Sequence, residues 1–306
     1  MEAVNQFSIT GKLGEATETY LAWDGQRDAK VVLRFIDPVF TEDAEYLKCF
    51  ETVTKRLMGL NDRHISEFFS LEEADGRRFA VREYVLGQSV HELSRVNPFD
   101  YHAFLNIAIQ ISQGLSEAHE VGITHGRLNG RNVIVTPHGQ VSIVDFGLHG
   151  CCTQKDLESV RTEILPYLAP EQLEQESCDE LSDLFSAGVV FYEMLTGRLP
   201  FEGEDPEQLV AAIKAGPPAL GEPVGSELHG DVILLIERLL AYEPGDRLVG
   251  ARELLDTLKA MVGHELEKRG SASKPESHAS PRTYLMLSIL TALIVIFWLV
   301  VTAFHK

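Results

Sequence analysis

Strand-like and helix-like patterns occupy different parts of this chain. Runs of β-branched and aromatic residues, typical of strands, lie before residue 100 and include 20–23, 31–36 and 78–85. From Tyr101 onward, apolar residues recur every three or four positions, which is typical of amphipathic helices. This order predicts an α+β protein in which a small β-rich lobe, about residues 1–85, precedes a large helical lobe, about residues 86–262.

Two local elements can be predicted within these lobes. One helix is expected in the β-rich part, where apolar residues fall on a single helical face: Leu47, Phe50, Leu57 and Leu60. Thr41 is its expected N-cap, because a threonine hydroxyl can accept a hydrogen bond from the first helical turn. In the helical part, residues 132–144 are expected to form a hairpin that turns at 137–139.

The segment 284–304 contains no charged side chain. As a helix it would be about 30 Å long, enough to cross the hydrocarbon core of a bilayer. More basic residues precede this segment than follow it, which places the preceding domain in the cytoplasm. Residues 263–283 are expected to be a flexible linker because they include a small, polar, proline-containing stretch. The sequence therefore predicts a single-pass membrane protein with a C-terminal transmembrane helix.

The chain is acidic, with a formal net charge of −19 at pH 7. A nucleic-acid-binding face would need clustered basic residues, so no nucleic-acid partner is expected. The four cysteines show no paired spacing typical of a zinc site, and reduced thiols are expected in a cytosolic domain. The adjacent Cys151 and Cys152 leave a redox role open.

Two short segments in the helical part carry residue types that catalysis uses. One runs from His125 to Asn132 as HGRLNGRN, and the other is Asp145-Phe146-Gly147. They resemble the catalytic loop and the metal loop of protein kinases, in which the first segment reads H-R-D-L-K-x-x-N. The resemblance is closest to bacterial serine/threonine kinases and covers about residues 7–258. It implies a two-lobed protein kinase-like fold over residues 1–262, with ATP and Mg²⁺ as the family's cofactors.

Other segments carry the same resemblance. Residues 182–189 resemble the buried helix that anchors the catalytic loop, and Ala169-Pro170-Glu171 resembles the end of the activation segment. The resemblance also implies an ion pair between Glu171 and Arg247, and it places His125 and Phe146 in the packing between the lobes. All these matches concern architecture.

The catalytic positions depart from the family pattern. Arg127 stands where the family has the aspartate that accepts the substrate's proton, and a guanidinium cannot act as a base. Asn129 stands at the position of the neighbouring lysine, so no catalytic residue of the family is intact. Asn132 and Asp145 keep the two metal-binding positions, which leaves two alternatives. Either they still hold Mg²⁺ with a nucleotide, or Arg127 pairs with Asp145 and fills the metal site.

The nucleotide-binding positions are altered as well. The resemblance places five residues there: Gly14, Val32, Arg34, Glu83 and Val85. Arg34 replaces the lysine that pairs with phosphates, and Val32 replaces a small alanine that lies against adenine. The glycine-rich loop has lost glycines, while Glu15 and Glu18 bring negative charge towards it. Val53 stands where the family has the glutamate partner of the lysine.

Together these departures favour a membrane-anchored pseudokinase that acts as a regulatory or scaffolding module in the cytoplasm, without phosphotransfer. Its protein partners cannot be named from the sequence. One alternative is a divergent ATP-binding serine/threonine protein kinase or nucleotidyl transferase with residual activity, and another is a nucleotide sensor. Retained Asp145 and Asn132 favour these alternatives. The pseudokinase is favoured by Arg34, Val53, Arg127 and Ile164, the last of which replaces the family's activation-segment threonine.

Overall fold

A six-stranded antiparallel sheet forms the first part of the computed structural model, which describes residues 3–13, 18–36, 38–147, 162–175, 178–220 and 230–272. Its strands are β1 (Ala3–Val4), β2 (Phe7–Lys12), β3 (Thr19–Asp24), β4 (Ala29–Phe35), β5 (Phe68–Ala74) and β6 (Arg77–Glu83). Their order across the sheet is β1-β2-β3-β4-β6-β5. The β-rich lobe expected from the sequence is therefore present.

The two faces of this sheet differ in chemistry because successive side chains of a strand point to opposite sides. One face holds an apolar core: Val4, Phe7, Ala22, Val31, Leu33, Phe35, Phe79 and Val81. The register pairs Val32 with Arg82 and Arg34 with Ala80, so these four residues share the other face. Two arginines thus lie on the face of the sheet opposite its own core.

Helix α1 (Ala44–Leu57) follows β4 and a 3₁₀ turn at Pro38–Phe40. The predicted N-cap was wrong by two residues, because the side chain of Asp43 accepts the hydrogen bond from the Tyr46 amide at 3.0 Å. The Thr41 hydroxyl instead donates to the carbonyl of Pro38 at 2.8 Å. Of the predicted apolar stripe, Phe50 and Leu57 are buried, whereas Leu47 and Leu60 are half-buried.

Cys49, in the middle of α1, is disulfide-bonded. The expectation of reduced thiols is therefore wrong for this residue. Spacing along the chain does not show which cysteines approach within bonding distance in space. The Sγ atom of Cys178 accepts a hydrogen bond from the side-chain amide of Gln172 at 3.4 Å, and Cys151 and Cys152 lie outside the described residues.

The helical part is built around one buried helix. It contains α2 (Val90–Val96), α3 (Tyr101–Glu120), α4 (Pro170–Leu173), α5 (Glu180–Thr196), α6 (Pro206–Lys214), α7 (Gly230–Leu239) and α8 (Ala251–Ala272). Every residue of α5 from Ser182 to Leu195 is buried, as expected for a helix surrounded by protein on all sides. This confirms the buried helix inferred for 182–189.

A small sheet lies beside these helices, in the order β7 (Gln88–Ser89), β8 (Val133–Val135) and β9 (Val141–Ile143). The β8–β9 pair is the predicted hairpin, with its turn at 137–139. A parallel bridge between Ile65 and Ile143 joins the loop after α1 to β9. The metal loop follows β9 directly along the chain.

Residues Met1–Met261 form one compact unit, and a second unit begins at Val262. Helix α8 continues to Ala272, so residues 263–272, predicted as the start of a linker, are helical instead. Residues 251–269 contain no proline and are rich in glutamate, leucine and lysine, which are strong helix formers. Within the described ranges, none of the helices is long and apolar enough to cross a membrane. The predicted segment 284–304 lies outside those ranges.

Candidate functional site

The buried helix α5 holds the loop that contains Arg127. Asp183 of α5 accepts hydrogen bonds from the backbone amides of His125 (2.7 Å) and Gly126 (2.9 Å). Its carboxylate also lies 2.9 Å from Nε2 of His119 on α3. Gly126 has a φ of +77°, a conformation that glycine adopts without a steric cost. The loop is therefore fixed to the centre of the helical part just before Arg127.

His125 is a structural residue of this loop. Its ring packs against that of Phe146 with centroids 4.9 Å apart, and both side chains are fully buried, which confirms their expected packing. Burial lowers the pKa of His125, so the imidazole is neutral. Nε2 lies 3.1 Å from the carbonyl of Val144, and Nδ1 accepts the amide N–H of Arg127 at 3.3 Å. Both ring nitrogens are used within the protein.

Asp145 of the metal loop forms a buried ion pair with Arg82 of β6. Nε of Arg82 lies 2.8 Å from Oδ1 of Asp145, and their side chains are 8% and 12% exposed. Burial alone would raise the pKa of Asp145, but the charges of Arg82 and Arg34 and the hydrogen bond from Arg82 hold this pKa below its usual range. The carboxylate is therefore ionised and paired. The cation bonded to this carboxylate is thus Arg82, a residue outside both alternatives that the sequence left open for Asp145.

The backbone at Asp145 adds to this arrangement. Its φ is +61°, in the left-handed region that residues other than glycine seldom adopt. Such a conformation costs about 1–3 kcal/mol and persists only where the surroundings hold it. The bond from Arg82 is one such restraint.

The guanidinium of Arg82 also reaches the end of its own strand. Nη1 donates to the carbonyl oxygen of Glu83 at 3.0 Å. Glu83 is one of the positions that the sequence resemblance assigns to nucleotide binding, and Arg82 lies directly opposite Val32, which is another. One buried side chain therefore connects a residue at a family nucleotide-binding position with the aspartate of the metal loop. Val85 follows two residues after Glu83 and is half-buried.

Arg34 and Val53 show what replaced the family's lysine and its glutamate partner. Nη1 of Arg34 donates to the hydroxyl of Thr19 at 2.8 Å. Val53 packs directly over Gly147 of the metal loop, and a Cβ at Gly147 would collide with the Val53 side chain. Helix α1 thus contacts the metal loop through an apolar side chain. This contact needs no charge at position 53.

The two asparagines of the catalytic loop bond within that loop. The side-chain amides of Asn129 and Asn132 both donate to the carbonyl oxygen of Arg127, at 2.8 and 3.4 Å. Oδ1 of Asn129 accepts the amide N–H of Arg131 at 2.9 Å. The carbonyl of Asn132 accepts the amide N–H of Val144 at 2.9 Å, so Asn132 lies beside the start of the metal loop.

These residues are a poor fit for Mg²⁺. The ion prefers oxygen ligands and usually takes one or two carboxylates along with phosphate oxygens. Here one carboxylate, Asp145, already has the cation Arg82 bonded to one of its oxygens. Among the described residues, no cluster of three or more histidine, cysteine, aspartate or glutamate side chains could hold a metal. The arginine supplies the positive charge at the place where a metal ion would supply it.

The negative charge of Glu18, just before β3, is balanced by nearby basic side chains. The carboxylate of Glu18 lies 3.1 Å from Arg77 and 3.7 Å from Lys12. The hydrogen bond from Arg77 lowers the pKa of Glu18, which is therefore ionised and paired. Gly14 and Glu15 lie outside the described residues.

The end of the activation segment is held by two buried acidic groups. Glu171 forms a two-bond ion pair with Arg247 at 2.7 and 2.8 Å, which confirms that pairing. Glu193 of α5 accepts the hydroxyl hydrogen bond of Tyr167 at 2.7 Å and lies 2.6 Å from Nδ1 of His91. Burial beside this carboxylate raises the pKa of Tyr167, which stays protonated as the donor.

Sequence reasoning missed Arg82 and the His91–Glu193 pair. A signal for Arg82 was available, because Phe79-Ala80-Val81 is an apolar strand run that a charged residue interrupts. Alternation puts Phe79 and Val81 in the core and Arg82 on the opposite face. The sequence of the strand does not show which residue of another segment contacts Arg82 on that face.

Comparison with known proteins identifies similar chains. A family model for the protein kinase domain matches residues 8–258. The chain is 26% identical over 263 residues to a probable serine/threonine-protein kinase of Clostridium acetobutylicum, covering 83% of this chain and 39% of that protein. It is 29% identical over 264 residues to the serine/threonine-protein kinase drp72 of Corynebacterium efficiens, covering 83% of this chain and 49% of that protein. The chain thus spans less than half the length of these two relatives.

A solved structure agrees with the fold. The crystal structure of the Mycobacterium tuberculosis PknI kinase domain matches with a TM-score of 0.66 at 21% identity. The match covers 84% of this chain and 96% of that chain. At this identity the likeness concerns the fold.

Proposed function

Because this chain belongs to the protein kinase domain family, we propose that it is a pseudokinase, a regulatory or scaffolding module that does not transfer phosphate. The observation that carries the proposal is the buried ion pair between Arg82 and Asp145. The same guanidinium also bonds the carbonyl of Glu83. Arg82 therefore bonds both the aspartate at the family's metal position and the backbone of a residue at a nucleotide-binding position.

A metal ion can bind Asp145 only if the Arg82–Asp145 ion pair is broken, and the strength of that pair sets the free-energy cost. Breaking a buried ion pair by removing one partner costs about 3–5 kcal/mol, because a buried charge is left without compensation. A metal ion that took Asp145 from Arg82 would leave such a charge behind. A cost of this size weakens a nucleotide's affinity by about 10²–10⁴-fold. A Kd of 1 µM would become about 0.1–10 mM.

The catalytic loop supports the same conclusion from the side of the reaction. A general base contributes about 10²–10⁴ in rate, and Arg127 cannot supply it. Phosphoryl transfer depends mostly on positioning and on charge stabilisation. This chain lacks the general base, and Arg82 is bonded to the aspartate at the metal position. It therefore retains little of the positioning or the charge stabilisation that phosphoryl transfer needs.

The proposal places the module in the cytoplasm, at a membrane. Its support is the uncharged segment 284–304 and the basic residues that precede it. The function then consists of binding other proteins near the membrane surface. Those partners are proteins rather than nucleic acid, because the net charge is −19.

A second candidate is a divergent ATP-dependent serine/threonine kinase. Two observations favour it: Asp145 and Asn132 are retained side by side at the metal loop, and the similar proteins carry the name serine/threonine-protein kinase. In this case Arg82 would swing away from Asp145 when metal and nucleotide arrive. The two candidates therefore differ in whether Asp145 is used.

Transfer of radiolabelled phosphate from ATP separates them. The full chain in detergent is incubated with Mg²⁺ or Mn²⁺ and a general protein substrate, alongside an Asp145→Ala variant. An active bacterial serine/threonine kinase serves as the positive control. We expect wild type and Asp145→Ala to incorporate the same background label. Incorporation that saturates with ATP and is lost in Asp145→Ala would establish the divergent kinase instead.

A further inference from the structure

A polar cavity of about 390 Å³ lies outside the kinase site. It is formed by the loop after α1, by α3 and by the turn of the β8–β9 hairpin. Its lining includes Arg63, His64, Asn106, Gln110, His138 and Gln140, and none of its lining residues is acidic. The volume falls within the range of about 300–1,000 Å³ that small-molecule sites occupy. The lining thus carries one guanidinium and no carboxylate, although the chain as a whole has a net charge of −19.

Hydrogen bonds between the three walls hold the cavity in shape. Gln110 of α3 accepts the amide N–H of Val141 at 2.9 Å and donates to the carbonyl of Gly139 at 3.1 Å. Gln140 donates to the carbonyl of Arg63 at 2.9 Å, which ties the hairpin to the loop after α1. The site is therefore preformed, so a ligand would not have to order it.

The guanidinium of Arg63 is positioned by a buried histidine. Nε of Arg63 donates to Nε2 of His64 at 3.1 Å, and His64 is only 2% exposed. The other ring nitrogen, Nδ1, lies 3.1 Å from the carbonyl of Val141. Nε2 therefore faces a guanidinium donor and Nδ1 faces a carbonyl acceptor. The role of His64 is to fix the direction of Arg63.

Donor groups remain available at the cavity. In the described ranges Arg63 forms no ion pair, and the only bond of its guanidinium is the one from Nε, which leaves Nη1 and Nη2. Oδ1 of Asn106 accepts a bond from Gln110 at 2.6 Å, so the Asn106 amide offers its N–H groups. The ring of His138 is exposed at the tip of the hairpin. Three different donor types therefore surround a space without a carboxylate.

We propose that this cavity binds a small molecule that carries a phosphate monoester. The two Nη groups of a guanidinium match two oxygens of one phosphate, and amide and imidazole donors suit the remaining oxygens. The overall negative charge repels anions at long range, so recognition has to come from donors held at short range. Arg63 is the principal ligand-binding residue of the site, and His64 is its positioning residue.

The test titrates glycerol 3-phosphate into the full chain in detergent and measures the melting temperature at each concentration, at constant ionic strength. Binding at a site appears as a rise in melting temperature that saturates. The variant is Arg63→Gln. The matched control is Arg95→Gln, which makes the same charge change at an exposed residue near the end of α2, away from the cavity. We expect saturable stabilisation in wild type and in Arg95→Gln, and at least a tenfold weaker Kd in Arg63→Gln. Melting temperatures in chloride alone confirm that both variants fold.

Three results would overturn the proposal. The first is equal affinity for the ester in wild type and Arg63→Gln. The second is a melting temperature that rises with ligand concentration without saturating, which would indicate a general salt effect. The third is loss of binding in Arg34→Gln but not in Arg63→Gln, since the ligand would then occupy the kinase cleft. Inorganic phosphate is the second probe. Tighter binding of the ester supports the assignment, because the cavity exceeds the size of one phosphate, whereas binding of inorganic phosphate alone would contradict it.

Discussion

Replacing Arg82 by methionine is expected to destabilise the folded protein by about 3 kcal/mol at pH 7. Both side chains of the Arg82–Asp145 pair are largely buried, at 8% and 12% exposure, and the bonded atoms are 2.8 Å apart. Removing one partner of such a pair costs about 3–5 kcal/mol. The lower end applies because the charge of Arg34 still acts on Asp145. Methionine keeps the apolar stem, so the change reports mainly on the charge.

The measurement is urea unfolding of the full chain in detergent, followed by far-ultraviolet circular dichroism, with midpoints compared at an unchanged m value. Arg78→Met is the matched control, because Arg78 lies on the same strand and pairs with Glu73 in solvent, with side chains 40% and 58% exposed. An exposed pair contributes about 0–1 kcal/mol, so this control should change little.

A second substitution tests the reasoning further. Adding Asp145→Asn to Arg82→Met removes the uncompensated charge, so the double variant should recover much of the lost stability. The coupling in this double-mutant cycle should reach about 2 kcal/mol. A loss for Arg82→Met no larger than that of Arg78→Met, or a cycle without coupling, would refute the view that Asp145 depends on Arg82.

Three further predictions concern other parts of the structure. The stability difference between wild type and Asp145→Asn should be complete above about pH 4 and shrink at lower pH, because the native pKa of Asp145 lies below the unfolded value of about 3.9. Tyr167→Phe should lose about 1.5–3 kcal/mol in urea unfolding, since it removes a buried bond to a carboxylate. Tyr242→Phe removes a solvent-exposed bond to Glu174 and should lose little. Maleimide labelling of the unfolded, unreduced chain should modify Cys178 but not Cys49, as read by peptide mass spectrometry.

Each of these has a clear contrary result. A pH-independent difference for Asp145→Asn would mean that the carboxylate is not paired in the native state. Equal losses of unfolding free energy for Tyr167→Phe and Tyr242→Phe would mean that the buried bond from Tyr167 to Glu193 does not stabilise the fold. Labelling of Cys49 before reduction would contradict its disulfide.

Much of the fold could be predicted from the sequence, because it depends on patterns that are local along the chain. The change from strand-like runs to helical stripes predicted the two lobes. The Glu171–Arg247 pair is not local, and it was expected only because the family resemblance implies it. The 132–144 hairpin had a clear turn signal. The Thr41 cap failed because Asp43, two residues later, offers the stronger acceptor at the first turn.

The site was harder to predict because its central contact joins distant segments. The resemblance put Arg127 in the catalytic loop near the metal position and so made it a candidate partner of Asp145, whereas the structure bonds Arg82 to Asp145. The actual partner depends on the sheet register, which puts Arg82 opposite Val32 on the face that bears Asp145's ion pair. The register of the strands and the position of the metal loop against the sheet depend on the folded structure. The sequence alone therefore supplies several arginines as candidate partners of Asp145 but does not select one.

Thermal unfolding of the full chain with and without ATP and Mg²⁺ tests the central claim most directly. A ligand that binds only the folded state adds about 2.7 kcal/mol at 100 times its Kd, which would raise the melting temperature by about 5 °C or more. With Arg82 on Asp145, we predict no shift at millimolar nucleotide, in wild type as in Asp145→Ala. A saturable, Mg²⁺-dependent rise that Asp145→Ala abolishes would contradict the claim that this site is closed to metal-bound nucleotide.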